Sequence, residues 1–310
     1  MSTSSWSMQA DRQHNSFNDI PFREPNMASA IAEANESLKQ RVRKHWEAET
    51  CGTRYSEAPN RRCFFDELAN KRYQLEPDLH TFADFPSSKG KRVLEIGVGA
   101  GADFHNWCRF ADHATGVDLT EEAIALTTER LQLNDIDTAR YQLQKADAEK
   151  LPFSDSTFDI VYSWGVLHHT PNTLQAFGEA WRVLRPGGVL KAMVYQVPSW
   201  VGWMLALNYG LARGKLWLTP RQAIFEQLES PGTKAYTVNE ARTFLNRLDF
   251  EQVNVWSRLT AGDLLLIKPS KKHAGWKSNL IWAVYPRWLV RILGHRFGLN
   301  LMVTARKPMN

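Results

Sequence analysis

From residue 91 onward the apolar positions alternate between two rhythms: short, nearly continuous runs, and stretches spaced three and four residues apart. The runs KRVLEIG (91–97), HATGVDL (113–119), RYQLQKAD (140–147), FDIVYSW (158–164) and GGVLKAMVYQV (187–197) read as buried strands. Between them, ADFHNWCRF (102–110), EEAIALTTERLQL (121–133) and TLQAFGEAWRVL (173–184) carry helical spacing, with Thr120 placed to cap the second. Strands alternating with helices of about this length require crossover connections, so the pattern predicts a doubly wound α/β domain with a largely parallel sheet. A helix at 237–248, a strand at 250–257 and a final strand at 298–308 continue it, after interruptions at about 198–236 and 258–297. Long interruptions in a compact domain are usually lids or binding loops.

Ahead of the domain, residues 28–90 form a helical segment. Ile31, Leu38, Val42 and Trp46 share one helical face, 51–63 reads as loop, and 64–75 reads as a second helix before Pro77. Residues 1–27 are polar and aperiodic, which predicts a disordered tail. The uncharged run 192–212 is long enough to span a bilayer, but Pro198 divides it, and strand followed by helix accounts for it better.

Composition narrows the function classes. Lys and Arg outnumber Asp and Glu by only 38 to 33, a surplus too small to imply nucleic acid. Cys51, Cys63 and Cys108 are irregularly spaced, which suits buried, inert thiols in a reducing cytoplasm better than disulfides or a metal site. No secretory signal is present in the first residues. Oligomeric state leaves no trace in the sequence.

The strongest local signal is VLEIGVGAGAD (93–103), a strand running through Gly97, Gly99 and Gly101 into a helix. Glycines there permit a tight turn and close approach of a ligand to the backbone. Gly97, Gly99 and Ala102 with Asp118 also satisfy a dinucleotide fingerprint, so an NAD-dependent oxidoreductase is the first rival. Glu95 two residues before the first glycine, Asp118 in GVDLT, Asp147 in KADAEKLPF, and the block FSDSTFDIVYSWGVLHHTPN leading to WRVLRPGG are a more specific set. Over about 91–197 the chain resembles the class I S-adenosylmethionine-dependent methyltransferases, in a branch similar to the ubiquinone/menaquinone C-methyltransferases.

That resemblance implies a Rossmann-like, mostly parallel seven-stranded sheet with one antiparallel strand near the C-terminus, and N-terminal helices and two insertions forming a substrate lid. It implies S-adenosylmethionine as cofactor and S-adenosylhomocysteine as product. Asp118, beside Leu119, would hold the ribose diol and Asp147 the adenine amino group, with Ala148 offering a backbone N–H; Ser163, Trp164 and Gly165 would line the methionine end. His168 and His169 are the candidate catalytic bases. Arg185 to Gly188 read as a helix stop and turn. Trp200, Trp203, Leu207 and Leu211 have the spacing of a helix's core face, which predicts packing. Tryptophans accompanied by basic residues in both interruptions also suit peripheral contact with a membrane, or a lipid-like or lipid-linked small-molecule acceptor. A non-catalytic S-adenosylmethionine-binding protein is the second rival.

Overall fold

Leu94 and Ile96 of the first strand pack into one hydrophobic core while Val93 packs into another, the mark of a strand covered on both faces. In the computed structural model, which describes residues 27–48, 50, 53–215, 217–266 and 285–309, this strand, β1 (Arg92–Ile96), lies in the interior of a single sheet. Around it are β2 (His113–Asp118), β3 (Tyr141–Lys145), β4 (Phe158–Trp164), β5 (Leu184–Gln196), β7 (Glu251–Arg258) and β8 (Asn300–Arg306), in the order β3-β2-β1-β4-β5-β8-β7. Pairing is parallel through β5, and β8 alone runs antiparallel to both its neighbours. The seven expected strands are joined by a short eighth, β6 (Ala235–Tyr236), pairing with the end of β5.

Helices α4 (Ala102–Phe110), α5 (Glu121–Leu133), α6 (Thr173–Val183) and α9 (Val238–Arg247) connect the strands, and Thr120 caps α5 by accepting from the Ala123 N–H. The N-terminal segment supplies α1 (Met27–Ala48), α2 (Arg61–Leu75) and the short α3 (Leu79–Ala83). Helix α2 starts three residues earlier than the apolar spacing indicates because the Asn60 side chain caps it, accepting from the Cys63 N–H. Strand β5 likewise starts ahead of Gly187, with an irregularity in its pairing to β4. The expected tail, apart from Met27, and Cys51 lie outside the described residues. Cys108 is buried, but Cys63 is exposed on the outer side of α2, which corrects the expectation of buried thiols there.

A further correction comes from the segment after β5. It forms α7 (Trp200–Leu205), continues through a wider turn to Gly210, and returns through α8 (Pro220–Gln227). Trp203, Leu207 and Leu211 are exposed, so they are not a core face. The buried face is made of Val201, Gly202, Ala206, Tyr209 and Gly210. A Cβ on Gly202 would stand 3.1 Å from Ile224, and one on Gly210 would stand 3.1 Å from Leu218, so small residues let the backbones approach and the larger side chains are left outside. No described helix is long and apolar enough to cross a membrane.

Asp263 fastens both late segments to the sheet. Its Oδ2 accepts from the Thr260 N–H (2.9 Å), the Thr260 hydroxyl (2.9 Å) and the Leu299 N–H (2.8 Å), while Oδ1 accepts from the Val201 N–H (3.2 Å). All its partners are donors, so the Asp263→Asn variant must turn an amide NH2 toward at least one of them. Denaturant unfolding of that variant is expected to show a loss of roughly 1–3 kcal/mol; unchanged stability would remove Asp263 as an anchor.

Candidate functional site

The C-terminal ends of β1, β2 and β4 open onto one cavity of about 430 Å³. At its floor the chain turns through Gly97 (φ 86°) and Gly99 (φ 53°), a left-handed conformation that favours glycine. A Cβ on Gly97 would lie 2.2 Å from a Val166 methyl group, whereas one on Gly99 would meet nothing within 4 Å, because the space above it is the cavity. Asp118 closes the turn: Oδ2 accepts from the Gly99 N–H (3.2 Å), and Oδ1 accepts from the Thr120 N–H and hydroxyl (3.0 and 2.9 Å). Burial pushes the Asp118 carboxyl up, and these donors pull it only part of the way back.

Glu95 is 3% exposed, and its Oε2 has no hydrogen-bond partner although the residue lines the cavity. Burial, together with the negative charge of Asp103 and Asp118, holds its carboxyl well above the usual range. A buried polar atom without a partner at a cavity wall is open to a hydrogen bond from a ligand or water. Asp147 also lines the cavity, but its Oδ2 is engaged by Lys39 of α1 at 2.6 Å and its Oδ1 accepts from the Glu149 N–H. Lys39 bridges to Glu149 as well (2.8 Å), so α1 is latched over that end of the site.

Of the residues singled out in the sequence, Glu95, Gly97, Gly99, Asp118, Leu119, Asp147, Ala148, Trp164, Gly165 and His169 line this one cavity. Three others do not. Gly101 caps α4 with φ 74°, where a Cβ would meet Thr127 at 2.9 Å. Ser163 is fully buried and donates to the Ile96 carbonyl (3.0 Å). His168 is fully buried under His169, and neither ring nitrogen has a partner; burial first, then the neighbouring His169 and Lys234, hold it well below its usual range. A neutral imidazole out of reach of the cavity cannot serve as the acceptor's base.

The opposite wall comes from residues the sequence did not single out for chemistry, although Trp46 belongs to the apolar face read for the N-terminal helix. Arg72 and Glu76 project from α2, Trp46 from α1, Tyr195 from the end of β5, Leu228 and Glu229 from beyond α8, and Thr260, Ala261 and Gly262 from the turn after β7. Glu229 adopts φ 53°. It lines the cavity, and 39% of its side chain is accessible. Burial pushes its carboxyl up, but His169, Tyr195 and Arg54 outweigh this and hold it below the usual carboxylate range, so it is ionised. His169 Nε2 is 3.4 Å from Glu229 Oε2, and its Nδ1 is 2.8 Å from the Ser230 hydroxyl. His168, His169 and Glu229 bring potential metal-ligand atoms within 4.8 Å of one another. The two imidazoles lie 4.1 Å apart between centroids with their planes tilted by 41°. No short motif or periodicity marks Glu76 or Glu229, whose neighbours in the cavity are distant in sequence.

The comparisons with known proteins agree with this geometry. Residues 94–192 match the methyltransferase domain family. The 27-O-demethylrifamycin SV methyltransferase of Amycolatopsis mediterranei is 36% identical over 34% of this chain and 39% of its own length. A phthiotriol/phenolphthiotriol dimycocerosates methyltransferase of Mycobacterium ulcerans is 38% identical over 36% of this chain and 40% of its own length. The matched region is thus well under half of either relative. A phosphoethanolamine N-methyltransferase 2 of Haemonchus contortus, solved with S-adenosylhomocysteine, superposes with a TM-score of 0.51 over 76% of this chain and 52% of its own, at 20% identity, which shows a shared fold. The match is to the methyltransferase class as a whole; the ubiquinone/menaquinone branch stays a resemblance.

Glu76 is the second titratable group of the far wall. It accepts from the Asn300 amide (3.0 Å), and burial, opposed by Arg72 and Asn300, lifts it to about 7 from an ordinary 4.5. A raised carboxyl pKa gives stability that is complete below about 4.5 and is lost as pH climbs through about 7. Glu76→Gln, neutral throughout, is expected to flatten that loss between pH 5 and 8 by on the order of 1–3 kcal/mol, read from denaturation midpoints; parallel pH profiles would contradict it.

Proposed function

We propose that this chain, whose residues 94–192 form a class I S-adenosylmethionine-dependent methyltransferase domain, transfers a methyl group to a small, lipid-like acceptor bound in the same cavity as the cofactor. The observation that carries this reading is the continuity of the cavity. Its one end has the open glycine turn, Asp118 and the unpartnered Glu95; its other end has apolar walls and an ionised Glu229.

The residues present fit the cofactor. Asp118 holds one N–H at Oδ2, which leaves a lone pair there for one ribose hydroxyl, Glu95 Oε2 has no hydrogen-bond partner, and the space over Gly99 admits a ligand against the backbone. For the adenine end, Asp147 would hold an amino group only by sharing or releasing Lys39, so α1 takes part in closing that end. S-adenosylmethionine supplies a methyl carbon already activated on a sulfonium. The protein therefore has to align the acceptor in line with it, exclude water and accept the acceptor's proton.

Glu229 is our candidate for that last role, as an ionised carboxylate facing the cavity. His169 positions it: Nδ1 lies 2.8 Å from the Ser230 hydroxyl, and in the tautomer protonated on Nε2 that N–H faces the Glu229 carboxylate, 3.4 Å away. A lipid-like acceptor is supported by Leu75, Val201, Leu228, Ala261 and Leu299 on the far wall, and by the lipid named for the mycobacterial relative.

Calorimetric titration tests the cofactor half. S-adenosylhomocysteine is expected to bind and NADH to give no heat, and Asp118→Ala to weaken the former by roughly 10–100-fold in a folded protein. Heat from NADH alone would make the glycine turn a dinucleotide site. For the acceptor half, Glu229→Gln is expected to lower kcat by roughly 10²–10⁴-fold with S-adenosylhomocysteine affinity unchanged; full turnover in that variant would take the proton away from Glu229.

A further inference from the structure

Nine of the twelve large apolar side chains exposed among the described residues fall within 198–236 and 258–297. They include Trp203, Leu207, Leu211 and Trp217 from the first of these segments, and Trp288 and Ile292 from helix α10 (Arg287–Leu293) in the second. Trp217, Trp288 and Ile292 are each about two-thirds exposed or more, at 73%, 66% and 66%. A monomeric soluble protein rarely concentrates so much exposed apolar surface in two stretches of its chain without a use for it.

The two segments adjoin. The Trp200 N–H donates to the Phe297 carbonyl (2.9 Å), the two rings lie 6.3 Å apart, and a Cβ on Gly294 would sit 3.0 Å from the Trp200 indole nitrogen. Val290, on the opposite side of α10 from Trp288 and Ile292, is buried. Within the first segment, Val201 faces the acceptor cavity, while Trp203 is exposed. These segments therefore have an inner side against the cavity and an outer apolar side.

Charge identifies what the outer side fits. Neither 199–225 nor 285–300 contains an acidic residue, and the exposed cations there include Arg213, Lys215, Arg291 and Arg296. Tryptophan, leucine and isoleucine interspersed with Lys and Arg, on helices that do not span a bilayer, is the composition of an element lying in the plane of a lipid interface. A self-association surface would gain nothing from concentrating charge of one sign on both copies.

We propose that this face docks on an anionic lipid surface, with Trp217 and Trp288 entering the headgroup region and the arginines and lysine contacting acidic headgroups. Docking there places the segments that wall the acceptor cavity next to the bilayer. The inference stands on the surface alone and does not rest on which acceptor is methylated.

Co-sedimentation of the full chain with vesicles tests it. Binding is expected to phosphatidylcholine vesicles containing phosphatidylglycerol, with weaker binding to phosphatidylcholine alone and loss at high salt. Trp217→Ser with Trp288→Ser is expected to reduce binding by roughly tenfold or more, and Arg213→Gln with Lys215→Gln by roughly fivefold for each charge removed. S-adenosylhomocysteine titration of the same variants, expected to be unchanged, keeps this result separate from the cofactor reading and reports that they fold. No binding to acidic vesicles by the folded parent would overturn the proposal. So would a concentration-dependent dimer in sedimentation velocity that the tryptophan variant dissociates, since the face would then be covered by a second copy.

Discussion

The architecture of the site depends on one buried carboxylate. Asp103, in the first turn of α4, accepts two N–H groups of Arg72 at 3.1 and 2.5 Å and the hydroxyl of Tyr162 at 2.9 Å, with the Tyr73 hydroxyl at 3.2 Å. Those partners come from a helix outside the α/β core and from its interior strand β4, so a single group locks α2 onto the sheet. Arg72 is also the cation that offsets the raised carboxyl of Glu95. A paired charge in the interior contributes little net stability but is very costly to leave unpaired, which makes the position of α2 close to obligatory. The wall that carries Glu76 is therefore held by the same interaction that balances charge at the cofactor end.

A second anchor of the same kind holds another part of the same wall. Asp263 gathers backbone donors from the start of α7, from the turn after β7 and from the residue ahead of β8. The α/β sheet and glycine turn can build a cofactor-binding end from strand termini alone, as open parallel sheets generally do. An acceptor end has no such template. The far wall of the cavity, the acceptor end in our proposal, is assembled from the N-terminal helices and two late segments, and buried carboxylates that accept several donors hold those pieces in register with the core.

This division explains what the sequence disclosed. Strands 91–97 and 158–164 were legible because burial on both faces demands unbroken apolar runs, and Gly97 because no other residue tolerates both its φ and the approach of Val166. Thr120 was legible because capping is local. Glu76, Glu229 and Asp263 were not, since a lone carboxylate has no pattern until the chain brings its donors together from far along the sequence. The stripe Trp203, Leu207, Leu211 was misread for a different reason. Periodicity ranks faces by apolar size, whereas the packing of α7 against α8 selects for smallness, and Gly202, Ala206 and Gly210 hold the same spacing one residue out of phase.

The paired histidines also shape the backbone that carries Glu229. Glu229 holds a left-handed backbone conformation that costs a non-glycine residue on the order of 1 kcal/mol or more, so the surrounding chain must fix it. It is fixed from the turn that carries the histidines: Ser230 bonds to the His169 ring, the Thr233 hydroxyl donates to the Ser230 carbonyl, and the Lys234 N–H donates to the His168 carbonyl. His168 packs 4.1 Å from both His169 and Tyr195, and its own neutrality avoids a buried positive charge beneath them. An imidazole pair at the end of β4 thus serves as the template on which a late segment is moulded. The carboxylate it presents reaches the cavity from beyond α8, while the glycine turn and Asp118 are tied to the strand ends.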